Sequence, residues 1–243
     1  WHGVRDALPG AHHDYTSAPL NRAVLLLAVP MVLEMIMESL FAVADVFWVS
    51  RLGQEAIAVV GLTESVMSLI YAVAIGTSFA ATAIIARRIG EKDPARAAQA
   101  AGQIILIGVT CAAALGALMA SFAPEILRGM GADAATVAQG TTFARVMLGG
   151  NVTVFMLFLI NAIFRGAGDA LIAMRTLWLA NALNIVLGPC FIFGLGPFPA
   201  LGLPGAAVAT NLGRGTGVLY QLWHLAAASG RLPSASSTAP SRA

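Results

Sequence analysis

LNRAVLLLAVPMVLEMIMESLFAVADVFWVSR, residues 20–51, is the stretch from which the fold is read. A basic residue stands near each end, Arg22 and Arg51, and three carboxylates, Glu34, Glu38 and Asp45, lie between them. At about 1.5 Å per residue the interior rises about 42 Å, enough to cross a bilayer with some tilt or bend. A helix turns about 100° per residue, so the three acids fall within a strip about 40° wide. A carboxylate in hydrocarbon costs at least about 2–3 kcal/mol, so this strip is expected to face a cavity or protein and not lipid. Pro30 lies one turn before Glu34 and has no N–H to donate, which predicts a bend there.

Composition extends this reading to the whole chain. Of 243 residues, 58% are hydrophobic and 11% charged, with a mean hydropathy of +0.80. Soluble domains carry about 25% charge. The chain therefore reads as an integral membrane protein, and its long continuous apolar runs indicate helices, not barrel strands. The basic residues are scattered over loops, without the dense stripe that nucleic acid requires. Cys111 and Cys190 both fall in apolar runs and read as buried thiols. With His2, His12, His13 and His224 they form no metal-ligand spacing, so neither a metal nor a cofactor is expected. No nucleophile–base pair or two-histidine-plus-acid set lies at membrane depth, which argues against an enzyme.

Six membrane helices are expected, over about 22–50, 56–86, 98–122, 136–164, 171–193 and 205–228. The tail 1–19 and the Ser/Pro/Ala-rich segment 229–243 read as flexible, leaving 20–228 as one transmembrane unit. The chain opens on Trp1 and not Met, which points to a truncated or processed N-terminus. Asp93-Pro94 is an N-cap followed by proline at the first helical position. Pro124 and the run Gly129-Met-Gly131 interrupt the pattern after the third helix. The small-residue run 74–83 is expected to pack closely on a neighbouring helix. Ten basic residues fall on one side: Arg5, Arg22, Arg87, Arg88, Lys92, Arg96, Arg165, Arg175, Arg231 and Arg242. Only Arg51 and Arg128 fall on the other. This bias places both termini in the cytoplasm of a bacterial-type plasma (inner) membrane. Arg145 and Arg214, near helix ends by this segmentation, are expected to snorkel or pair.

Four pieces in order resemble a known family. They are Ala28-Val-Pro30 with Ala44-Asp45-Val-Phe-Trp-Val-Ser-Arg-Leu-Gly53; Ala72-Val-Ala-Ile-Gly-Thr-Ser-Phe-Ala-Ala-Thr-Ala leading into Arg88-Ile-Gly-Glu-Lys-Asp93; Phe164-Arg-Gly-Ala-Gly-Asp169; and Asn184-Ile-Val-Leu-Gly-Pro189 with Leu203-Pro-Gly-Ala-Ala-Val-Ala-Thr210. From about Leu20 to Ala228 the chain resembles the N-terminal half of a multidrug and toxic compound extrusion (MATE) transporter, within the multidrug/oligosaccharidyl-lipid/polysaccharide exporter (MOP) superfamily. The resemblance implies an all-α membrane fold of twelve helices in two six-helix lobes, of which this chain supplies one. It implies export of organic cations in exchange for H+ or Na+. The partners it implies are membrane lipid, a small organic cation and a second six-helix lobe, either a C-terminal half or a second copy.

The resemblance makes Asp45 the ion-coupling carboxylate. Physics points the same way, because a carboxylate at membrane depth is costly while charged and so is suited to load and release a cation. Glu38, two turns before Asp45 on the same face, is a candidate for coupling or for the substrate cavity. Glu34 and Met35 are candidates for the cavity wall, Glu34 as an attractor of cations and Met35 as flexible apolar surface. Asn184 matches the asparagine of a family Asn-x-x-x-Asp pattern that is part of the ion site in some relatives, although Gly188 stands where that aspartate would be; Asn161 could join the same ion-coupling cluster. Asn181 and Asn211 read as packing residues, and Glu64 as reaching interfacial water. Two alternatives stand beside the exporter. One is a lipid-linked oligosaccharide flippase of the same superfamily. The other is a non-transporting half that needs a second lobe.

Overall fold

The computed structural model of the chain describes residues 20–229, and these are all-helical. The first helix, α1 (Leu20–Ser50), runs unbroken through Pro30. A tight turn at Gly53, with φ 107°, leads into α2 (Gln54–Gly90). The Asp93 carboxylate accepts from the Arg96 N–H at 3.0 Å and Pro94 opens α3 (Pro94–Ser121), as the Asp-Pro pair predicts. Then follow α4 (Ala123–Gly129), α5 (Ala134–Gly149), α6 (Asn151–Gly166), α7 (Ala170–Phe193) and α8 (Leu203–Ser229). The flexible segments expected at 1–19 and from residue 230 onward lie outside the described residues.

Among the described residues, four helical stretches are long and apolar enough to cross a membrane: α2, α3, the joined α5–α6 and α7. Helix α1 carries the three acids, and in α8 the apolar run is interrupted by Asn211, Arg214 and Gln221. These two helices carry most of the polar chemistry described below.

Two details depart from the expected segmentation. Pro124 does not end helical structure; it occupies the first turn of the short α4, where a missing N–H is harmless. The helix expected over 136–164 is broken at Gly149-Gly150. The Asn211 side chain of α8 lies against this break. Its amide donates to the Val146 carbonyl at 3.0 Å, and its oxygen accepts from Thr153 Oγ1 at 3.1 Å. A Cβ on Gly150 would overlap that amide. The break is thus specified twice, by the low helix propensity of two glycines and by a partner for the loosened backbone.

The α5–α6 pair is the centre of the bundle. In its most apolar window 67% of residues are buried, against 17% for α3. The most extensive helix pairs are α7 with α8, α2 with α6 and α1 with α7. In the α2–α6 pair, Ala74 and Ala81 are buried, and Thr82 Oγ1 donates to the Ala162 carbonyl at 3.2 Å. The small-residue run therefore does face a neighbour closely. Gly213 allows the same approach between α8 and α7, where a Cβ would lie 2.6 Å from the Ala180 carbonyl oxygen. The resulting bundle sets the acid-bearing face of α1 against α6, α7 and α8.

Candidate functional site

The three carboxylates of α1 have three different surroundings. Glu34 is 5% exposed and fully committed. Its two oxygens accept from Arg165 Nη2 at 2.6 and 2.8 Å, and Asn161 Nδ2 lies 3.5 Å away. Asn161 in turn accepts from Gln221 Nε2 of α8. Beside this group, Trp178 Nε1 donates to the Leu33 carbonyl at 3.2 Å. Arg165 closes α6, so the pair ties the first half of α1 to the end of the central helix. The pair faces a cavity of about 240 Å³ that Met31, Met35, Glu38 and Phe158 also line. Met35 is 70% exposed, so only part of its thioether chain serves that wall.

Glu38, one turn on, stands between two cavities. One oxygen accepts from Asn181 Nδ2 at 2.9 Å; the other lies 3.5 Å from Arg214 Nη2. Arg214 is 4% exposed and lies near the middle of α8. It donates to the Tyr71 hydroxyl at 3.5 Å, and its guanidinium carbon sits 5.6 Å from the centre of the Phe41 ring. Of the two expected outcomes Arg214 therefore pairs and does not snorkel, and it does so from near the middle of the helix and not from its end. Arg145 is exposed.

Asp45 and Glu64 share the second cavity, about 420 Å³, with Glu38, Tyr71, Thr210 and Arg214; its remaining wall is largely apolar. Among the described residues neither Asp45 nor Glu64 forms a hydrogen bond or an ion pair. The cavity therefore holds three carboxylates against one guanidinium, with two of the carboxylates uncommitted. Glu64 is half-buried here and not directed to interfacial water. Such a pocket can accept a proton at Asp45 or Glu64 without breaking a bond first.

Asn184 donates to Thr210 Oγ1 at 2.8 Å, and Thr210 donates to the Ala206 carbonyl at 3.0 Å. Thr210 is a lining residue, so Asn184 stands behind the cavity wall. No hydrogen bond joins it to Asn161, which belongs to the Glu34 group. Gly188, one turn beyond Asn184, is buried, yet a Cβ there would meet only ordinary contacts, 3.8 Å to Trp48 and 3.9 Å to Asn184. Asn211 is the packing residue it was expected to be.

Sequence reasoning missed Arg214, Asn181, Tyr71 and Arg165 as members of these groups. A signal existed for Arg214, a lone arginine well inside an apolar helix, which at membrane depth requires a partner. None existed for Asn181 or Tyr71, because their roles depend on which face α7 and α2 turn toward α1.

The family model described as MatE matches residues 30–190. The chain is 30% identical over 198 residues to the FAD transporter of Shewanella oneidensis, covering 82% of this chain and 44% of that protein. It is also 30% identical over 204 residues to the probable multidrug resistance protein NorM of Thermotoga maritima, with the same coverage. A MOP superfamily transporter from Pyrococcus furiosus, whose binding pocket is described as of reverse polarity, superposes with a TM-score of 0.78 at 33% identity, over 93% of this chain and 47% of that one. The chain thus spans a little under half the length of these relatives.

Proposed function

The chain belongs to the MatE family of membrane transporters, and on that premise we propose that it is one six-helix lobe of a cation-coupled antiporter exporting organic cations. In this reading α1, α2, α3, the kinked α5–α6, α7 and α8 are the six spans, with both termini cytoplasmic in a bacterial-type inner membrane. A second six-helix lobe completes the substrate path. Asp45 is the coupling carboxylate, for H+ or Na+. The observation that carries the reading is the cavity in which Asp45 and Glu64 stand unpaired beside Glu38.

The cycle follows from the charges. With Asp45 ionised the cavity favours a cation. A coupling cation entering at Asp45 removes that charge and the attraction it exerts on an organic cation. Burial of the neutralised side chain becomes cheaper, and α1 repacks about Pro30, where the helix lacks one backbone hydrogen bond. The first half of α1 stays anchored through Glu34 and Arg165. Asn184 and Thr210 support the wall on which Asp45 acts, and Met35 offers adaptable apolar contact.

A second reading has its own support. One relative is named an FAD transporter, and two arginines, Arg165 and Arg214, line the cavities here. An aromatic organic anion is the substrate class this favours. Transport competition in vesicles separates the two. Inhibition of dye efflux by other lipophilic cations and not by flavin nucleotides supports the first; the reverse pattern establishes the second. Competition by lipid-linked sugar alone would point instead to a flippase.

A further inference from the structure

Two arginine–glutamate pairs join α1 to the bundle, and they are built differently. Arg165 grips both oxygens of a buried Glu34 at 2.6 and 2.8 Å. Arg214 touches Glu38 and Tyr71 only at 3.5 Å each, although it is 4% exposed. A guanidinium has five N–H donors, and a buried one ordinarily makes short charge-assisted bonds. Arg214 instead sits loosely in a cavity with two unpaired carboxylates on its walls. The charged and titratable groups lining that cavity are Glu38 and Asp45 from α1, Glu64 and Tyr71 from α2, and Arg214 itself from α8. Helices α5 and α6 contribute Phe143, Met147 and Phe158.

We propose that Arg214 is a tethered resident cation that selects the coupling ion, keeping metal cations out of the Asp45 cavity while leaving it open to protons. This rests on the antiporter reading above. A hard metal cation takes about six oxygen ligands. Two of the oxygens in this cavity, Glu38 Oε1 and the Tyr71 hydroxyl, are engaged by Arg214. A sodium ion that takes those oxygens as ligands must displace the guanidinium, and anywhere in the cavity it bears the guanidinium's like charge. A like charge about 6 Å away, at an effective dielectric near 20, weakens binding by about a hundredfold. A proton bears a similar repulsion but needs one oxygen and no coordination shell, so the unpaired Asp45 suffices. Arg214 also balances one of the three carboxylates of this cavity.

The test measures ion dependence in the full natural chain that contains this sequence. Purified protein is melted in NaCl and in KCl at equal ionic strength, and dye transport is driven in proteoliposomes by a proton gradient or a sodium gradient. Wild type is expected to melt alike in the two salts and to respond to the proton gradient alone. Arg214→Gln, which keeps hydrogen bonding and removes the charge, is expected to gain sodium-specific stabilisation and at least a tenfold increase in apparent Na+ affinity. Arg214→Lys is expected to behave as wild type. Sodium-driven transport or sodium-specific stabilisation of wild type overturns the proposal, and this arm needs no variant to fold. A folded Arg214→Gln that stays blind to sodium overturns it as well. Asp45→Asn is run beside these. Full transport by that variant would remove the antiporter reading itself, a failure distinct from a wrong choice of ion.

Discussion

Replacing Arg165 by alanine removes the only cation that contacts Glu34 among the described residues. Glu34 is 5% exposed and gives both oxygens to that guanidinium. Asn161 Nδ2 is a weak substitute, a neutral donor 3.5 Å away. Leaving a buried charge without its partner costs about 3–5 kcal/mol, whereas replacing both partners by neutral groups of similar shape is often close to neutral. Arg165→Ala is therefore expected to destabilise by about 3–5 kcal/mol. The double variant Glu34→Gln with Arg165→Met should recover most of that loss. For a chain of this size about 2–4 °C of melting temperature corresponds to each kcal/mol. The single variant should then melt about 6–20 °C lower in detergent, and the double variant within a few degrees of wild type. If the single and double variants melt together, or the single one falls by less than about 2 °C, Glu34 is not held as a buried charge and its role as the anchor of α1 is wrong.

Other substitutions test separate parts of the account. Gly188→Ala should raise stability by up to about 1 kcal/mol, because a helical position with room for a Cβ gains from alanine. Gly213→Ala should destabilise clearly, because its Cβ would collide with the Ala180 carbonyl; melting temperatures of the pair check both signs. Asn211→Ala removes the partner of the Val146 carbonyl and of Thr153, and a loss of about 1–3 kcal/mol is expected on thermal melting. At the start of α5, hydrogen bonding from Thr136, through its side chain first and its backbone N–H second, holds the Asp133 carboxyl below its usual range. A folded value below the unfolded one means that its stabilisation is present above about pH 4 and fades as pH falls through the folded value. Asp133→Asn keeps the cap without titrating, so the fall in melting temperature between neutral pH and about pH 3 should be smaller in that variant.

Much of this architecture was legible because a membrane leaves few choices. Apolar runs of 24 residues or more can only be helices there, and the Asp93-Pro94 pair marks the start of α3. The break at Gly149-Gly150 was visible as a glycine pair but not as a break, since glycine is common in membrane helices. Its cause, Asn211, is some 60 positions away. The strip of Glu34, Glu38 and Asp45 was correctly placed on one helix face, since helical periodicity is local. What the strip meets was not legible. Nothing in spacing tells that Arg165 consumes the charge of Glu34, or that Arg214 lies beside Glu38 while Asp45 stays unpaired. Those facts depend on the rotation of α6 and α8 about their axes, which long-range packing decides.

The central claim is that Asp45 couples ion movement to export. The most direct test reconstitutes the full natural chain in proteoliposomes, adds a cationic dye on one side and follows counter-ion movement, with Asp45→Asn run in parallel at matched insertion. Dye-driven ion flux in wild type that vanishes in the variant, with folding intact, is the predicted result. Equal flux through the two proteins would contradict the assignment of Asp45 and return the coupling role to another carboxylate, with Glu64 the first to examine.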